Sequence, residues 1–432
     1  MKYQSIDQSL FVQNRQKFMA QMQPNTIAIF RSNYEYTRNG DATMDFKQHS
    51  DFFWLTGIDQ EDSYLILYPD SPEAAFKACL YLKQTNATIA VWEGHKYTKA
   101  EATACSGINS VQWNDSFFSQ IRSKINYASG IYLTLNENDR FTYKAPYADL
   151  DFVRQIQNDY PLHTYYRAAP ILQRLRSIKS EIEIGLVNHA ISISKKGFER
   201  IMAFTKPGVM EYEVEAELIH QYIKNGATGH SFHPIVASGA NACVLHYIDN
   251  NQTCKDGDLL LVDCGVDYAN YASDMTRCIP VNGKFSDRQK AVYNAVLRVM
   301  RGATKLLTPG TKLMDYHAIV GKELMEKELV DLGLISLQDI KNEDPAWPAY
   351  KKYFMHGTSH FLGIDVHDVG MRYEPMQANM LFTCEPGIYI PEEGIGVRIE
   401  NNIVISNEGP IDLMDAIGMP IEVEEIEAIM AQ

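Results

Sequence analysis

Hydrophobic residues in roughly the first 170 positions occur in short runs, with longer amphipathic stretches between them. The runs predict strands at residues 26–30, 64–68, 76–82 and 130–135. The amphipathic stretches predict helices at residues 7–22 and 113–124. This alternation is typical of an α/β domain, which we expect to contain a mixed sheet. The apolar cluster Phe52-Phe53-Trp54-Leu55 predicts core packing rather than a binding platform.

A helix start signal marks the second half of the chain: Ser180 and Glu183 form the S-x-x-E pattern of a capping box. Apolar residues then recur at helical spacing as far as Pro207-Gly208, a stop signal. Further helices are predicted at residues 211–225, 286–307 and 312–332. Strands are predicted at residues 235–238, 259–264, 271–281, 380–384 and 397–405. Because many of these strands follow one another in hairpin-like pairs, we expect an α+β fold with antiparallel pairing.

The length and charge of the chain narrow its class. A chain of 432 residues is too long for one ordinary core. We predict an N-terminal α/β domain at residues 1–172 and a C-terminal domain at residues 173–432. The formal net charge of −14 argues against a nucleic-acid partner, because a phosphate backbone is bound by clustered Lys and Arg.

The apolar runs and the cysteines together predict a cellular location. No run approaches the roughly 18 apolar residues of a membrane span, and the first residues lack the apolar core of a signal peptide. The cysteines number seven, which is odd, and none forms a CxxC pair. We therefore expect free thiols, a cytoplasmic location and no membrane partner.

Four acidic residues occupy positions where the flanking sequence predicts buried strands. Asp263 ends an apolar run, Asp274 follows eleven residues later, and Glu385 and Glu400 sit in two later strands. A lone carboxylate in such a place is unfavourable without a partner. Capping a loop or pairing with arginine would explain any one of them. Together with His360 they favour a shared metal site instead.

The segment HGTSHFLGIDVH carries three of the chain's 12 histidines, His356, His360 and His367. Its small and β-branched residues predict a strand-and-turn segment rather than a helix. By themselves these histidines could equally lie satisfied at a surface. The nearby carboxylates favour a cavity instead.

A charge count extends this interpretation. Four carboxylates bring a charge of −4, which two divalent ions neutralise and one does not, so a two-metal site is favoured. Oxygen ligands with one imidazole suit Mn²⁺, Co²⁺ or Zn²⁺. By strand alternation Cys264 and Cys384 point away from the adjacent carboxylates, so we expect them to be packing residues.

Several motifs carry a family resemblance. The stretches VDCGVDYANYASDMTR, HGTSHFLGIDVHDVG, EPGIYI and GIGVRIE resemble the ordered motifs of the pita-bread metallopeptidases, and most closely those of the aminopeptidase P and prolidase family. The resemblance is strong from about residue 175 onward and weaker in the first domain, where DFFWLTG carries it. It implies a pita-bread catalytic domain preceded by a smaller α/β domain. It also implies a dinuclear centre, usually manganese, held by Asp263, Asp274, His360, Glu385 and Glu400, with Asp274 and Glu400 bridging.

The resemblance also implies roles for neighbouring residues. His246 would line the substrate pocket and help to hold the reacting carbonyl, and His367 would hydrogen-bond the tetrahedral intermediate. His356 would shape the pocket around proline, and Glu385 would carry a proton to the leaving nitrogen. Arg398 would orient either the downstream part of the substrate or a metal ligand. The implied substrates are proline-containing peptides, and the implied assembly is a homo-oligomer, a dimer or a tetramer.

Alternative functions remain open at this point. Xaa-Pro aminopeptidase is favoured over a prolidase that cleaves only dipeptides, because the segment after His367 is short and contains a single arginine, Arg372. A non-catalytic pita-bread binding protein is disfavoured by the intact set of ligand positions. A metal-free C–N hydrolase of the creatinase type is disfavoured for the same reason. A methionine aminopeptidase is disfavoured by the additional N-terminal domain.

Overall fold

The computed structural model describes residues 3–138, 140, 141 and 148–432 of the chain. Packing divides the chain into two compact units. The N-terminal unit is Ser5–Arg176, and the C-terminal unit is Ser177–Gln432 together with Tyr3 and Gln4. This division falls within one helix, Ala169–Ser177, as does the predicted limit between residues 172 and 173. The domain limits themselves stay a prediction.

The N-terminal unit combines helices with a mixed sheet. Its helices are α1 (Ser9–Met19), α2 (Ser50–Thr56), α3 (Ala87–Glu93), α4 (Lys99–Ser106), α5 (Phe117–Tyr127), α6 (Ala148–Asp159) and α7 (Ala169–Ser177). Its strands are β1 (Thr26–Arg31), β2 (Thr37–Asn39), β3 (Ala42–Thr43), β4 (Tyr64–Leu67), β5 (Ala78–Leu82), β6 (Ser110–Trp113), β7 (Gly130–Leu133) and β8 (Thr164–Arg167). The main sheet has the order β6-β5-β4-β1-β7-β8. Strand β4 runs antiparallel to β1 and β5, whereas the other pairs are parallel, so the predicted mixed sheet is confirmed.

Two features of this unit test local predictions. Phe52, Phe53 and Trp54 on α2 are buried, which confirms that this aromatic cluster packs in the core. The helix predicted from residue 113 is wrong at its start, because Ser110–Trp113 forms a strand parallel to β5. Pairing with a distant strand overrides the local helical pattern there. The helix begins only at Phe117, after a 3₁₀ turn.

The C-terminal unit contains longer helices and antiparallel strands. Its helices are α8 (Glu181–Phe204), α9 (Glu211–Lys224), α10 (Asp287–Thr304), α11 (Leu313–Ile319), α12 (Glu326–Asp331), α13 (Leu337–Lys341) and α14 (Val423–Met430). Its strands are β9 (Gly229–His230), β10 (Ile235–Ser238), β11 (Leu259–Cys264), β12 (Val266–Tyr268), β13 (Tyr271–Ala272), β14 (Met275–Pro280), β15 (Leu381–Cys384), β16 (Gly387–Ile390), β17 (Ile395–Arg398), β18 (Asn401–Val404) and β19 (Ile411–Asp412). The strand orders are β10-β11-β14, β13-β12-β9, β15-β18-β19 and β16-β17. The paired strands in these groups are antiparallel, as predicted.

The helix signals read from the sequence hold in this unit. Ser180 and Glu183 form the predicted capping box at the start of α8, and Ser286 caps α10 in the same way. The helix predicted at residues 312–332 exists, but a π-helical segment, Val320–Met325, interrupts it. Gly321 lies in that segment, and a Cβ there would overlap the ring of Tyr350. The absence of a side chain therefore lets Tyr350 pack against the helix backbone.

Two strands predicted as continuous are each broken at an acidic residue. Residues 271–281 are interrupted at Ser273-Asp274, and residues 397–405 at Ile399-Glu400. Near the first break Gly265 lies against the Ser273 carbonyl, where a Cβ would overlap that oxygen. Irregular backbone therefore occurs next to two of the acidic residues.

The histidine-rich segment, which precedes β15 in the chain, lies beside that strand without forming a regular strand of its own. The Leu362 and Thr383 amides donate to the Leu381 and His360 carbonyls at 3.1 and 3.0 Å, and an isolated bridge joins Phe361 to Phe382. The prediction that this segment is not a helix is confirmed, but an isolated bridge and bends take the place of the predicted strand. In the described ranges of the chain, no helix has the length and apolar character needed to cross a membrane. All seven cysteines lie in those ranges and are free thiols.

Candidate metal centre

Adjacent antiparallel strands bring two of the predicted acidic ligands together. Asp263 near the end of β11 pairs with Thr276 of β14. Asp274 lies directly before β14, two residues before Thr276. Asp263 and Asp274 therefore converge as neighbours rather than as a directly facing pair. The hairpin β12–β13 connects β11 to Asp274 and β14.

The other two carboxylates arrive from later strands. The Glu400 amide donates to the Thr276 carbonyl at 3.1 Å, and the Thr276 hydroxyl donates to Glu400 Oε2 at 2.7 Å. Glu385 directly follows β15, and its amide donates to the Thr358 carbonyl at 2.8 Å. Thr276 thus fixes Glu400 beside β14, and the histidine-rich segment fixes Glu385.

Hydrogen-bond acceptors face one another at the middle of this group. Asp274, His360 and Glu400 each offer a ligand atom, and these atoms lie within 4.8 Å of one another. His360 Nε2 lies 3.4 Å from Asp274 Oδ2 and 3.5 Å from Glu385 Oε1. His360 Nδ1 lies 2.9 Å from the Phe361 carbonyl oxygen, so Nδ1 carries a proton, and in the neutral ring Nε2 keeps its lone pair for a metal.

The acceptor group fits a cation. Asp263 Oδ1 and Asp274 Oδ1 are buried and have no hydrogen-bond partner among the described residues. Such atoms are destabilising unless a positive partner compensates for their lost hydration. Carboxylate oxygens with one imidazole are ligands of hard and borderline divalent ions. The donor set therefore suits divalent ions.

Crowding of the carboxylates is reflected in their proton affinities. Burial, with the charges of Asp263 and Glu385, raises the pKa of Asp274. Burial and the charge of Asp274 raise the pKa of Glu400 well above its ordinary value. Burial acts to lower the pKa of His360, but contacts with Asp274 and Glu385 outweigh it and raise the pKa. These directions are those of an electronegative site that attracts cations.

Arg398 lies behind the ligands, on β17. Its buried guanidinium donates to Asp263 Oδ2 at 2.6 Å, to the Tyr389 hydroxyl at 2.8 Å and to Thr276 Oγ1 at 3.1 Å. Of the two roles predicted from sequence, orienting a ligand agrees with these contacts better than binding the far end of a peptide.

His356 contacts the Tyr389 hydroxyl to which Arg398 also donates. Its Nδ1–H donates to the Gly357 carbonyl at 2.8 Å, and the Tyr389 hydroxyl lies 2.7 Å from Nε2. Because Arg398 donates to the Tyr389 oxygen, that hydroxyl can donate its proton to His356 Nε2. Burial and the Arg398 charge lower the pKa of His356 to about 3, so its imidazole is neutral at physiological pH.

The remaining predicted site residues are more exposed. The His367 ring stands perpendicular to that of His360, with centroids 4.5 Å apart. His367 and His246 are both exposed, and His246 lies on the loop between β10 and β11. Their predicted contacts with substrate stay predictions, as do the ligand roles of the five metal-site residues.

Three residues that were not predicted from the sequence organise the site: Thr276, Tyr389 and His317. Thr276 joins Glu400 to Arg398, and Tyr389 joins Arg398 to His356. His317 of α11 accepts the Thr358 amide at 3.1 Å through Nδ1. Strand alternation from Asp274 could have indicated Thr276, because the two lie two residues apart. No local pattern points to His317.

This fold and donor set are those of a candidate centre for divalent ions. A comparison with family models matches residues 185–407 to metallopeptidase family M24 and residues 11–132 to the aminopeptidase P N-terminal domain.

Individual proteins extend the similarity to nearly the whole chain. The Xaa-Pro aminopeptidase of Haemophilus influenzae is 33% identical over 97% of this chain and 96% of its own length. The Xaa-Pro dipeptidase of Rattus norvegicus is 29% identical over 98% and 94%. The structure of Pseudomonas aeruginosa aminopeptidase PepP superposes with a TM-score of 0.89 at 32% identity, over 99% of this chain and 98% of the other.

The chain belongs to metallopeptidase family M24 and, within it, to the aminopeptidase P family. The predicted fold, a pita-bread domain preceded by an α/β domain with a mixed sheet, is confirmed. Membership in a metallopeptidase family also implies divalent metal ions, in agreement with the cluster of Asp274, His360 and Glu400.

Proposed function

We propose that this protein is an Xaa-Pro aminopeptidase, a metal-dependent exopeptidase that releases an N-terminal residue preceding proline. The observation that carries the proposal is the buried group of ligand atoms of Asp274, His360 and Glu400, in which His360 Nε2 faces carboxylate oxygens of Asp274 and Glu385. Whole-length similarity to an Xaa-Pro aminopeptidase supports the same substrate class.

We further propose two divalent ions, with Mn²⁺ favoured and Co²⁺ or Zn²⁺ as alternatives. Asp263, Asp274, His360, Glu385 and Glu400 would hold them. When bound, such ions polarise a carbonyl oxygen and lower the pKa of water to near neutrality. The two buried Asp oxygens without hydrogen-bond partners support this donor set.

The chain's own side chains would carry the remaining steps. A prolyl nitrogen has no N–H and its ring fixes φ, so a protease cannot hold this bond through the usual backbone contact. His246 would hold the reacting carbonyl, and His367 would donate a hydrogen bond to the oxygen that gains negative charge. Glu385 would accept the nucleophile's proton and deliver it to the leaving nitrogen.

His356 would have a different task, because its pKa is far below neutrality. A neutral imidazole fixed by the Gly357 carbonyl and the Tyr389 hydroxyl can shape a pocket but cannot supply a proton near neutral pH. We therefore assign His356 to the wall around proline.

The main alternative is a dipeptidase, and the similarity to the rat Xaa-Pro dipeptidase keeps it in view. The test is hydrolysis of Ala-Pro and Ala-Pro-Ala by metal-depleted protein to which Mn²⁺ is restored. We expect cleavage of the tripeptide and its loss in His360→Ala and Glu385→Ala. Cleavage of the dipeptide alone would identify a dipeptidase. No metal-dependent turnover of either peptide would refute both.

Two further proposals concern the protein's setting. The free thiols support a reducing compartment, which we propose to be the cytoplasm. We also propose a homo-oligomer, a dimer or tetramer, that binds proline-containing peptides. Light scattering that reports a monomer at working concentration would contradict the assembly.

A further inference from the structure

The loop that carries His246 is residues 239–252, between β10 and β11. It begins with a 3₁₀ turn, Gly239–Cys243, and exposes Val244 and Ile248 on either side of His246. Exposed apolar residues give a loop little burial of its own, so its conformation depends on contacts at its base.

Glu211, the first residue of α9, supplies much of that base. Its side chain is fully buried, and its carboxylate accepts five hydrogen bonds from the loop and its flanks. Oε1 accepts from the Ser238 amide at 2.8 Å, the Ser238 hydroxyl at 2.6 Å and the Asn241 amide group at 3.2 Å. Oε2 accepts from the Tyr247 hydroxyl at 2.8 Å and the Gln252 amide at 2.9 Å. Each donor is neutral, and together they span the loop from its first residues to its last.

A second carboxylate on the same helix holds the end of the loop. Glu215 lies one helical turn after Glu211 and accepts from the Asn250 side chain at 2.8 Å. Asn250 has φ of 45° and also joins the Val236 amide to the Pro234 carbonyl. Helix α9 therefore contacts both the start and the return of the loop.

The opposite side of the 3₁₀ turn packs on the strand that leads into the metal centre. A Cβ at Gly396 of β17 would overlap the Ala242 carbonyl, so these two backbones touch. The Cys243 thiol lies 3.4 Å from the Ile395 carbonyl oxygen. Strand β17 ends at Arg398, which donates to Asp263. The loop is thus seated between Glu211 and the centre's supporting strand.

We propose that Glu211 is a positioning residue for His246: its carboxylate fixes the loop so that His246 meets the substrate. The inference rests on the proposed function. Because Tyr247 follows His246 directly and donates to Glu211, the geometry of the histidine is coupled to this carboxylate through one peptide unit. A glutamine at position 211 would keep the side-chain volume, but its NH₂ group would replace one of the two carboxylate oxygens. That group would then face the hydrogen-bond donors that Oε1 or Oε2 now accepts from. At least one buried donor would then lose its acceptor.

The first test measures loop and reaction in the full-length, metal-loaded protein. In Glu211→Gln we expect faster hydrogen exchange at the Ser238 and Gln252 amides, and kcat/KM for Ala-Pro-Ala lower by about tenfold or more. The milder Tyr247→Phe removes one donor and should lower kcat/KM by about threefold. Bound metal should be unchanged in both. The matched control is Glu217→Gln on the same helix, which loses only the ion pair with Arg200 on α8 and should leave exchange and kcat/KM unchanged.

A double-mutant cycle distinguishes positioning from general destabilisation. If Glu211 acts through His246, Glu211→Gln should lower kcat/KM by less than about twofold in a His246→Ala background. An equal loss in both backgrounds would overturn the inference, as would unchanged exchange at Ser238 and Gln252. Tyr247→Phe in the same two backgrounds provides the comparison if Glu211→Gln does not fold. Absence of turnover by the wild type would instead refute the proposed function, and the inference with it.

Discussion

Replacing Arg398 by methionine removes the cation that contacts the predicted ligand Asp263. The two side chains are only 5% and 13% exposed, and the contact is 2.6 Å long. The replacement also removes the donors to Tyr389 and Thr276. Removing one partner of a buried ion pair costs about 3–5 kcal/mol, because the other charge stays buried without a counter-charge. We expect the free energy of unfolding of the metal-free protein to fall by about this amount.

Divalent metal should reduce that loss. A bound cation near Asp263 replaces part of the lost positive charge, so the difference between wild type and Arg398→Met should shrink by about 1 kcal/mol or more when metal saturates the site. The assay is urea unfolding of both proteins, once with a chelator and once with excess Mn²⁺. Arg200→Met is the control, because the exposed pair of Arg200 with Glu217 contributes at most about 1 kcal/mol.

The reasoning would be refuted by a loss below about 1 kcal/mol in the metal-free protein. A loss of the same size with and without metal would show that Asp263 gains no counter-charge from the ion. That result would remove Asp263 from the ligand set while leaving its ion pair with Arg398 intact.

Three further substitutions test the site. The raised pKa of Asp274 makes the metal-free native state bind more protons than the unfolded state, so stability is lost as pH rises above about 4. Asp274→Asn should therefore stabilise the metal-free protein near pH 8 and abolish stabilisation by metal, measured by thermal unfolding; a destabilised, metal-responsive variant would contradict this. The pKa of His356, lowered from 6.5 to about 3, makes the native state lose stability as pH falls through that window. Between about pH 7 and pH 4 the unfolding free energy of His356→Gln should fall by about 2–3 kcal/mol less than that of the wild type. An equal fall in both proteins would show that His356 is not the cause. Gly396→Ala should lower stability by about 1–3 kcal/mol and slow hydrolysis, because its methyl group overlaps the Ala242 carbonyl; unchanged unfolding and rate would contradict this.

Regular strands were predictable from sequence where the apolar run and its stop signals agree. Residues 235–238 and 259–264 were predicted with the limits found in the structure. The breaks at Asp274 and Glu400 were not, because apolar periodicity continues across both of them. Their cause is tertiary: Asn402 exchanges hydrogen bonds with the Asp274 backbone, and Glu400 pairs with Thr276.

The acidic and histidine residues of the site were visible because polar residues stood in apolar surroundings. Their supporting residues were not visible in the same way. Arg277 donates to the Glu400 carbonyl and to the Asn401 side chain across more than 120 residues of sequence, and no local pattern links them. In the sequence Tyr389 resembles any other aromatic strand residue, and only the structure shows that its hydroxyl contacts both Arg398 and His356. Hydrogen bonds between distant strands therefore limit what the sequence alone can predict.

The central claim is that the five predicted ligands hold divalent ions for hydrolysis of an Xaa-Pro bond. The most direct measurement is the rate of Ala-Pro-Ala hydrolysis by metal-depleted protein during titration with Mn²⁺. We predict no turnover before addition and a rate that saturates near two ions per chain, in agreement with the count of four carboxylates. A rate that is the same in chelator and in excess Mn²⁺ would contradict the account.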